Sequence, residues 1–252
     1  MVHGIVSHSL WLESIAVRLV ENQVNVLAID RRGAGMNLKD RGDAPNTDTL
    51  LADLDAAMQW SSNTALTIHL CGFCWGGNYV VNYLQSTGRK FASCMFIAPS
   101  LFPSSLLQDR PFKTGPNALA TEEPVMPIDQ FTQGPEYETF ILPDPLRLHT
   151  VSQRLNLCMQ QFSTGIWMKF LRLKLPCLLI LGTQDSVVDN TATQRLFDRL
   201  KIRPKQLHHL PACHGIQFDQ PQSTAALIID WIETVDSSNN NTFAEQTERE
   251  QN

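Results

Sequence analysis

A cysteine flanked by glycines, where a short apolar strand gives way to a helix, constrains the fold more than any other feature. Residues 66–71 before it predict a buried strand, and residues 77–84 after it predict a helix. A turn this sharp imposes strained backbone angles on Cys74, so small residues are needed on both sides, at Gly72 and Gly76. The turn also exposes the thiol at the N-terminus of the helix, where the helix dipole favours the thiolate. The sequence therefore predicts a reactive cysteine at the top of a sheet.

Two later strand ends carry residues that could activate this thiol. Residues 178–182 form an apolar strand that ends in Gly-x-x-Asp, with Asp185 as the acid. Residues 207–210 form a second short strand, and His214 follows it. A histidine can take the thiol proton, and a carboxylate can hold the imidazole in the required tautomer. The chain order of cysteine, aspartate and histidine is the order in which α/β-hydrolases carry nucleophile, acid and histidine.

Together these motifs resemble the α/β-hydrolase superfamily, and most of all its monoacylglycerol lipase and lysophospholipase-like branch, which is serine aminopeptidase S33-like. Residues 3–5 resemble the His-Gly loop that supplies one oxyanion-hole amide in this fold. Residues 24–35 resemble the fourth strand of this fold with its D-x-R-G-x-G turn. Residues 49–54 resemble the start of the helix that follows. Residues 140–146 resemble the D-P-L segment of the cap. The resemblance extends over residues 2–235. It implies an α/β fold in which a mostly parallel sheet has helices on both faces and a cap insertion.

The resemblance also assigns roles to individual residues. It implies a cysteine hydrolase that acts on carboxylic esters or thioesters of an apolar acyl group through an acyl-cysteine intermediate. The catalytic triad would be Cys74, His214 and Asp185, and the backbone amides of Ile5 and Trp75 would form the oxyanion hole. Cysteine departs from the usual serine, as it does in dienelactone hydrolases and polyhydroxyalkanoate synthases.

The N-terminus is a second departure, because members of this fold carry two or three strands before the His-Gly loop. Here only Met1 and Val2 precede it, so the N-terminal strands are missing from this sequence. The absent strand would lie between the strands at 24–30 and 66–71, and a gap there would leave two rows of backbone groups unpaired. We therefore expect a shortened N-terminus and a chain prone to aggregation.

Strand and helix patterns alternate in two blocks that are separated by an insertion. The first block, residues 1–100, contains predicted helices at 10–22, 47–60 and 75–86 and strands at 24–30, 66–71 and 91–98. Residues 101–167 form the insertion, a predicted cap or lid that includes an amphipathic stretch at 146–162. Residues 168–236 complete the core and end in a helix at 224–235. The polar tail at 237–252 is expected to have no fixed structure.

Composition narrows the class of protein further. A chain of 252 residues with a net charge of −5 has no basic footprint, so nucleic acid is not an expected partner. No stretch approaches the ~18 consecutive apolar residues of a membrane-spanning helix. Six cysteines, three of them in predicted buried strands, indicate reduced thiols and a cytoplasmic location. We expect no cofactor, no metal, and a small-molecule acyl substrate such as a lipid or a CoA thioester; the oligomeric state stays open.

Other interpretations remain open. The chain could be an acyltransferase or condensing enzyme of the polyhydroxyalkanoate-synthase kind, or a catalytically silent binding or scaffold protein. Cys71 and Cys74 also have the C-x-x-C spacing of redox and zinc sites, although no second pair at such spacing exists. Asp189 is an alternative acid, but it lies further past the strand end, at an expected helix N-cap. The cap also carries a set of apolar residues, which could bind an acyl chain or could simply pack the cap on the core. These residues are Phe131, Tyr137, Phe140, Leu146, Phe162 and Trp167.

Overall fold

The computed structural model describes residues 1–62, 67–104, 121–122, 130–132, 134 and 139–250. A 3-10 turn at Ser9–Leu12 precedes eight helices in these ranges. The helices are α1 (Glu13–Glu21), α2 (Thr47–Ser62), α3 (Trp75–Ser86), α4 (Gln153–Ser163), α5 (Ile166–Leu171), α6 (Asn190–Asp198), α7 (Ile216–Asp219) and α8 (Pro221–Glu250). The strands are β1 (His69–Phe73), β2 (Ser93–Ile97), β3 (Thr121–Glu122), β4 (Val151–Ser152), β5 (Cys177–Gly182) and β6 (Lys205–Leu210).

The main sheet of the described residues has four parallel strands in the order β1-β2-β5-β6. Its central strands are apolar on both faces, as expected when helices cover both sides of a parallel sheet. In β5, Leu179 and Leu181 face one core cluster, while Leu178 and Ile180 face the other. The first cluster includes α2, α3 and α4, and the second includes α1 and the first half of α8. This arrangement confirms the predicted α/β class.

The predicted strand at 24–30 does not form. A single parallel bridge joins Ile29 to Val2, and Val2 makes a second bridge to Gly72 on its other side. The N–H of Val2 donates to the carbonyl of Cys71 at 2.8 Å, and the N–H of Phe73 donates to the carbonyl of Val2 at 2.9 Å. A strand exists only where a neighbour pairs with it, and in the described residues only Met1 and Val2 lie between these two edges.

A slot of about 720 Å³ continues from Val2 between residues 23–27 and the start of β1. Its walls are lined by the apolar side chains of Leu19, Met95 and Ile228. In a parallel ladder, alternate residues direct their backbone groups to opposite sides. The carbonyl of Ile68 accepts from Ala92 on the β2 side, so the odd-numbered residues of β1 direct theirs toward the slot. The slot therefore has backbone groups of β1 along one side and residues 23–27 along the other.

We expect the amides beside this slot to exchange hydrogen with solvent much faster than those of β2. Unpaired amides in a wide opening are not protected, whereas every residue of β2 is buried between β1 and β5. Hydrogen–deuterium exchange read by mass spectrometry compares residues 25–28, whose N–H groups donate no hydrogen bond in the described part of the chain, with residues 93–97. Equal protection of the two segments would contradict an open slot and would indicate that another polypeptide segment fills it.

The insertion at 101–167 is described only in part, and Tyr137 lies outside the described residues. Its helix α4 packs on the core, because Phe162 lies against Trp75 and Tyr79 at ring-centroid distances of 5.7 and 5.3 Å. Phe131 is buried as well. Leu146 is half-buried, whereas Phe140 and Trp167 are exposed.

The C-terminal segment differs from its expected lack of structure. Helix α8 starts at Pro221 and continues to Glu250, through most of the tail predicted at 237–252. Extending an existing helix is much easier than nucleating a new one, and the buried Ile228 and Trp231 fix the first half of α8. None of the helices in the described ranges combines the length and apolar character that a membrane crossing requires.

Candidate active site

Cys74 lies at the turn between β1 and α3 with a positive φ of 51° and a ψ of −125°. A positive φ in a residue with a side chain is strained, and the surrounding hydrogen bonds hold it in place. The Cys74 N–H donates to the carbonyl of Ile97 at 3.0 Å, and its own carbonyl accepts from Gly77 at 2.9 Å and Ser100 at 3.0 Å. The side chain is half-buried. The geometry is that of a strained, partly accessible thiol at a helix N-terminus.

The glycines around Cys74 are required by close backbone approach. A Cβ at Gly72 would lie 2.5 Å from the carbonyl oxygen of Gly76, and a Cβ at Gly76 would collide with the carbonyl of Val2. A Cβ at Gly4 would lie 3.1 Å from the Cβ of Cys74 and 3.4 Å from its Sγ. The His-Gly loop therefore packs directly against the thiol.

Asp185 and His214 meet as the chain order suggests. The His214 Nδ1 lies 2.8 Å from the Asp185 Oδ2, and the two side chains are 1% and 0% exposed. The other carboxylate oxygen accepts the N–H groups of Val187 at 2.8 Å and Val188 at 3.2 Å, which fixes the orientation of Asp185. Asp189 caps helix α6 instead, because it accepts the N–H of Ala192 at 2.9 Å.

The protonation of His214 reflects two opposing effects. Burial alone lowers the pKa of an imidazole, but the Asp185 carboxylate and the nearby Cys74 outweigh burial, and the pKa of His214 is raised well above its usual value. Its Nε2 is buried and makes no hydrogen bond among the described residues. It lines the same small cavity as Cys74. His214 therefore holds a proton more readily than an ordinary histidine does.

Of the two predicted oxyanion donors, Trp75 directly follows Cys74 in the chain, and Ile5 lines the cavity beside it. Trp75 is the first residue of α3, so its N–H has no carbonyl partner within the helix. The N–H of Ile5 donates no hydrogen bond in the described part of the chain. Ile5, Cys74 and His214 line a cavity of about 10 Å³, which leaves room for one water-sized group beside the sulfur.

Cys71 is unsuited to redox or metal chemistry with Cys74. It lies within β1, and burial raises the pKa of its thiol to about 12. All six cysteines are free thiols. The described residues contain no group of three or more candidate metal ligands.

A buried pair of polar residues that sequence reasoning missed holds the His-Gly loop. The Arg31 guanidinium donates to the carbonyls of Ile5 at 2.6 Å and Gly4 at 3.2 Å. The backbone N–H of Arg31 donates to the His3 Nε2 at 3.1 Å, and the His3 Nδ1 lies 2.7 Å from the carbonyl of Gly4. Arg31 occupies the variable position of the D-x-R-G-x-G motif, whose specified arginine is Arg32, so the motif gave no signal for Arg31.

A second histidine–aspartate pair, also missed, attaches the D-P-L segment to the start of the chain. The Asp144 Oδ2 lies 2.7 Å from the His8 Nε2 and accepts the indole N–H of Trp11 at 2.6 Å. Trp11 packs edge-on against Phe131, whose ring in turn packs edge-on against His214. The pair thus fixes Trp11, which packs against the phenylalanine that contacts His214.

Comparison with known proteins places the chain among hydrolases. The profile of the family described as serine aminopeptidase S33 matches residues 1–221. An uncharacterized abhydrolase domain-containing protein of Dictyostelium discoideum is 28% identical over 105 residues, which cover 41% of this chain and 11% of that protein. Human monoacylglycerol lipase ABHD6 is 22% identical over 96% of this chain and 77% of its own length.

Among solved structures, the monoacylglycerol lipase of Paleococcus ferrophilus superposes with a TM-score of 0.80, at 21% identity and 93% coverage of both chains. A likeness at this identity confirms the predicted fold, with its parallel sheet flanked by helices. The family profile spans most of the sequence and includes the Cys74 turn, Asp185 and His214. The chain belongs to the serine aminopeptidase S33 family, and it is a hydrolase of the α/β-hydrolase fold.

Proposed function

We propose that this protein is an ester hydrolase that uses Cys74 as its nucleophile and forms an acyl-cysteine intermediate. The observation that carries the proposal is the buried Asp185–His214 pair, whose free Nε2 shares a cavity with the strained Cys74. Nucleophile, base and orienting acid in this arrangement constitute a catalytic triad.

The raised pKa of His214 suits a cysteine better than a serine. A serine enzyme needs a neutral imidazole that removes a proton during attack. A thiol is far more acidic than a hydroxyl, so an imidazole of raised pKa can take the thiol proton before the substrate arrives. The dipole of α3 stabilises the resulting thiolate at its N-terminus. In the proposed mechanism, the form that attacks the substrate is the thiolate, with the proton held on His214.

Acylation begins when the thiolate attacks the substrate carbonyl. The amides of Ile5 and Trp75 donate hydrogen bonds to the oxyanion, and a preorganised donor of this kind is worth about 2.7–4 kcal/mol. The new S–C bond replaces the carbonyl bond to the leaving group, and His214 gives its proton to the departing alcohol or thiol. Water then attacks the thioester, His214 takes a proton from it, and the carboxylic acid leaves as the thiolate is restored.

Two observations support an apolar acyl group. Phe131 lines the cavity with Cys74 and His214, and Trp75 stacks on Phe162 directly behind the turn. Two of the similar proteins are named monoacylglycerol lipases, so a lipid ester is the first substrate class to test. Thioesters, including those of CoA, form the second class, because a thiolate exchanges readily with a thioester.

Acyl transfer is the alternative reaction, and the nucleophile itself favours it. A thioester intermediate reacts readily with thiols and amines but less readily with water than an oxyester does in a serine enzyme. Hydrolysis and transfer share the acylation step and differ only in the acceptor.

The test is to trap the intermediate. We expect brief incubation with a monoacylglycerol or an acyl thioester, followed by acid quenching, to yield one acyl group on the peptide that contains Cys74. Release of free acid in water supports hydrolysis, and a rate that rises only with an added alcohol or amine supports transfer. Absence of acyl-Cys74 under every condition would favour the silent binding protein.

Alkylation provides an independent prediction. Cys74 should react with iodoacetamide at neutral pH much faster than Cys213, the other half-buried cysteine, because burial raises the pKa of the Cys213 thiol. Peptide mapping after brief labelling measures both rates in one sample. Equal labelling of the two cysteines would refute the activated thiol.

A further inference from the structure

Arg31 is a buried cation without an acidic partner. It is 2% exposed, and no carboxylate of the described residues forms a hydrogen bond with its guanidinium. The carboxylate of the neighbouring Asp30 instead accepts the backbone N–H groups of Ser9 and Met36, each at 2.7 Å. The Nε and Nη1 of Arg31 have no hydrogen-bond partner among the residues that the structure describes.

Such a charge is costly to keep in a protein interior. Burial lowers the pKa of Arg31 to about 10, so the side chain still carries its charge at neutral pH. Buried charges are normally paired, and an unpaired one lowers the stability of the fold. An apolar side chain of similar length would avoid that cost. The presence of arginine therefore calls for an explanation other than stability.

The contacts of Arg31 suggest that explanation, because they reach both residues whose backbone amides are the predicted oxyanion donors. On one side, Nη2 holds the carbonyls of Gly4 and Ile5, so the His-Gly loop cannot rotate. On the other side, the Arg31 Cζ lies 5.3 Å from the centre of the Trp75 ring, a cation–π distance. Gly4, in turn, packs against the Cys74 side chain.

His3 contacts both Arg31 and the His-Gly loop. Because its Nε2 accepts the N–H of Arg31, its Nδ1 must carry the proton and donate to the carbonyl of Gly4. Burial, followed by the charge of Arg31, lowers the pKa of His3 well below its usual value, so the imidazole stays neutral. The carbonyl of Gly4 is thus held by two side chains at once.

We propose that Arg31 is a positioning residue that holds the loop of Ile5 against the side chain of Trp75, so that the backbone amides of these two residues form a single oxyanion hole. The inference rests on the proposed function, since it concerns the donors of that reaction. Arg31 does not touch the substrate. It fixes the spacing of two amides that come from segments distant in sequence, and the transition state depends on that spacing.

The test compares Arg31→Met with Arg31→Lys and with the control Arg32→Met. Arg32 is half-exposed and pairs with Asp53 at 2.6 and 2.8 Å, away from the site. We expect Arg31→Met to lower kcat about 100-fold with little change in KM, because a displacement of ~1 Å at a reacting centre costs about that much. Arg31→Lys should recover only part of the rate, because lysine lacks the planar fork. Arg32→Met should match the wild type.

Two further readouts separate positioning from a structural role. The melting temperature of Arg31→Met should stay within about 4 °C of the wild type, because removing an unpaired buried charge offsets the lost hydrogen bonds. Alkylation of Cys74 by iodoacetamide forms no oxyanion, so its rate in Arg31→Lys, which keeps the positive charge near Cys74, should stay within about twofold of the wild type while kcat falls. A full kcat in Arg31→Met, or parallel loss of alkylation and turnover in Arg31→Lys, would overturn the proposal.

Formation of acyl-Cys74 in the wild type and in Arg31→Met distinguishes a wrong role for Arg31 from a wrong reaction. If the wild type forms no acyl-Cys74, the reaction itself is wrongly assigned. If the wild type forms it and Arg31→Met forms it at the same rate, the reaction is correct and the role of Arg31 is not.

Discussion

Replacing Cys74 by alanine is expected to abolish turnover and acyl-enzyme formation while leaving the fold intact. Loss of the nucleophile in a triad costs on the order of 10⁶ in kcat, because the remaining donors have no covalent intermediate to stabilise. Alanine also removes the group that helps to raise the pKa of His214. The measurement is kcat with a short-chain ester and with a monoacylglycerol, beside mass spectrometry of the quenched enzyme.

Cys74→Ser is the matched variant. The surrounding turn, oxyanion donors and histidine are those of a serine enzyme, so we expect turnover well above that of Cys74→Ala. We also expect no reaction of position 74 with iodoacetamide. Circular dichroism spectra that match the wild type show that both variants fold. If Cys74→Ala retained full activity, another residue would be the nucleophile and the proposed mechanism would be wrong.

Asp185→Asn is expected to have the second largest effect. Loss of the acid in a serine triad lowers kcat by about 10⁴ because the histidine adopts the wrong tautomer. We expect a smaller loss here, since a preformed thiolate–imidazolium pair depends less on its acid. The asparagine oxygen can still accept the N–H groups of Val187 and Val188, so the loop should keep its shape.

Asp185→Asn should also change how the activity depends on pH, and the pKa of His214 sets the direction of that change. In the wild type, Asp185 raises the pKa of His214, so the imidazolium persists to higher pH. Without the carboxylate, the pKa of His214 falls relative to the wild type, and the imidazolium loses its proton at a lower pH. We therefore expect the alkaline limb of the activity profile to move to lower pH in Asp185→Asn.

Asp189→Asn is the control for this prediction. Asp189 caps helix α6 through the N–H of Ala192, and asparagine is an equally good N-cap. We expect activity and stability close to those of the wild type. Equal losses in the two variants, or a larger one in Asp189→Asn, would contradict the assignment of Asp185 as the acid.

The sequence by itself determined what depends on short segments. The strand–turn–helix around Cys74 was readable because glycine spacing and apolar runs are local signals, and α3 starts at Trp75 and ends at Ser86 as predicted. The order of Cys74, Asp185 and His214 narrowed the fold class, because each residue follows a recognisable strand. Asp189 was predicted as a helix N-cap from its distance to the strand end, and the structure places it there.

Only the tertiary structure decided what depends on partners distant in the sequence. Residues 24–30 have a strand-like composition, yet a strand needs a paired neighbour, and only Ile29 has one. The role proposed for Arg31 rests on carbonyls and a ring from two other segments. The pairing of Asp185 with His214 required the parallel order of β5 and β6, which brings their carboxyl ends together. Hydrogen bonds and charges act over a few ångströms in space, and no local pattern specifies which distant groups will come that close.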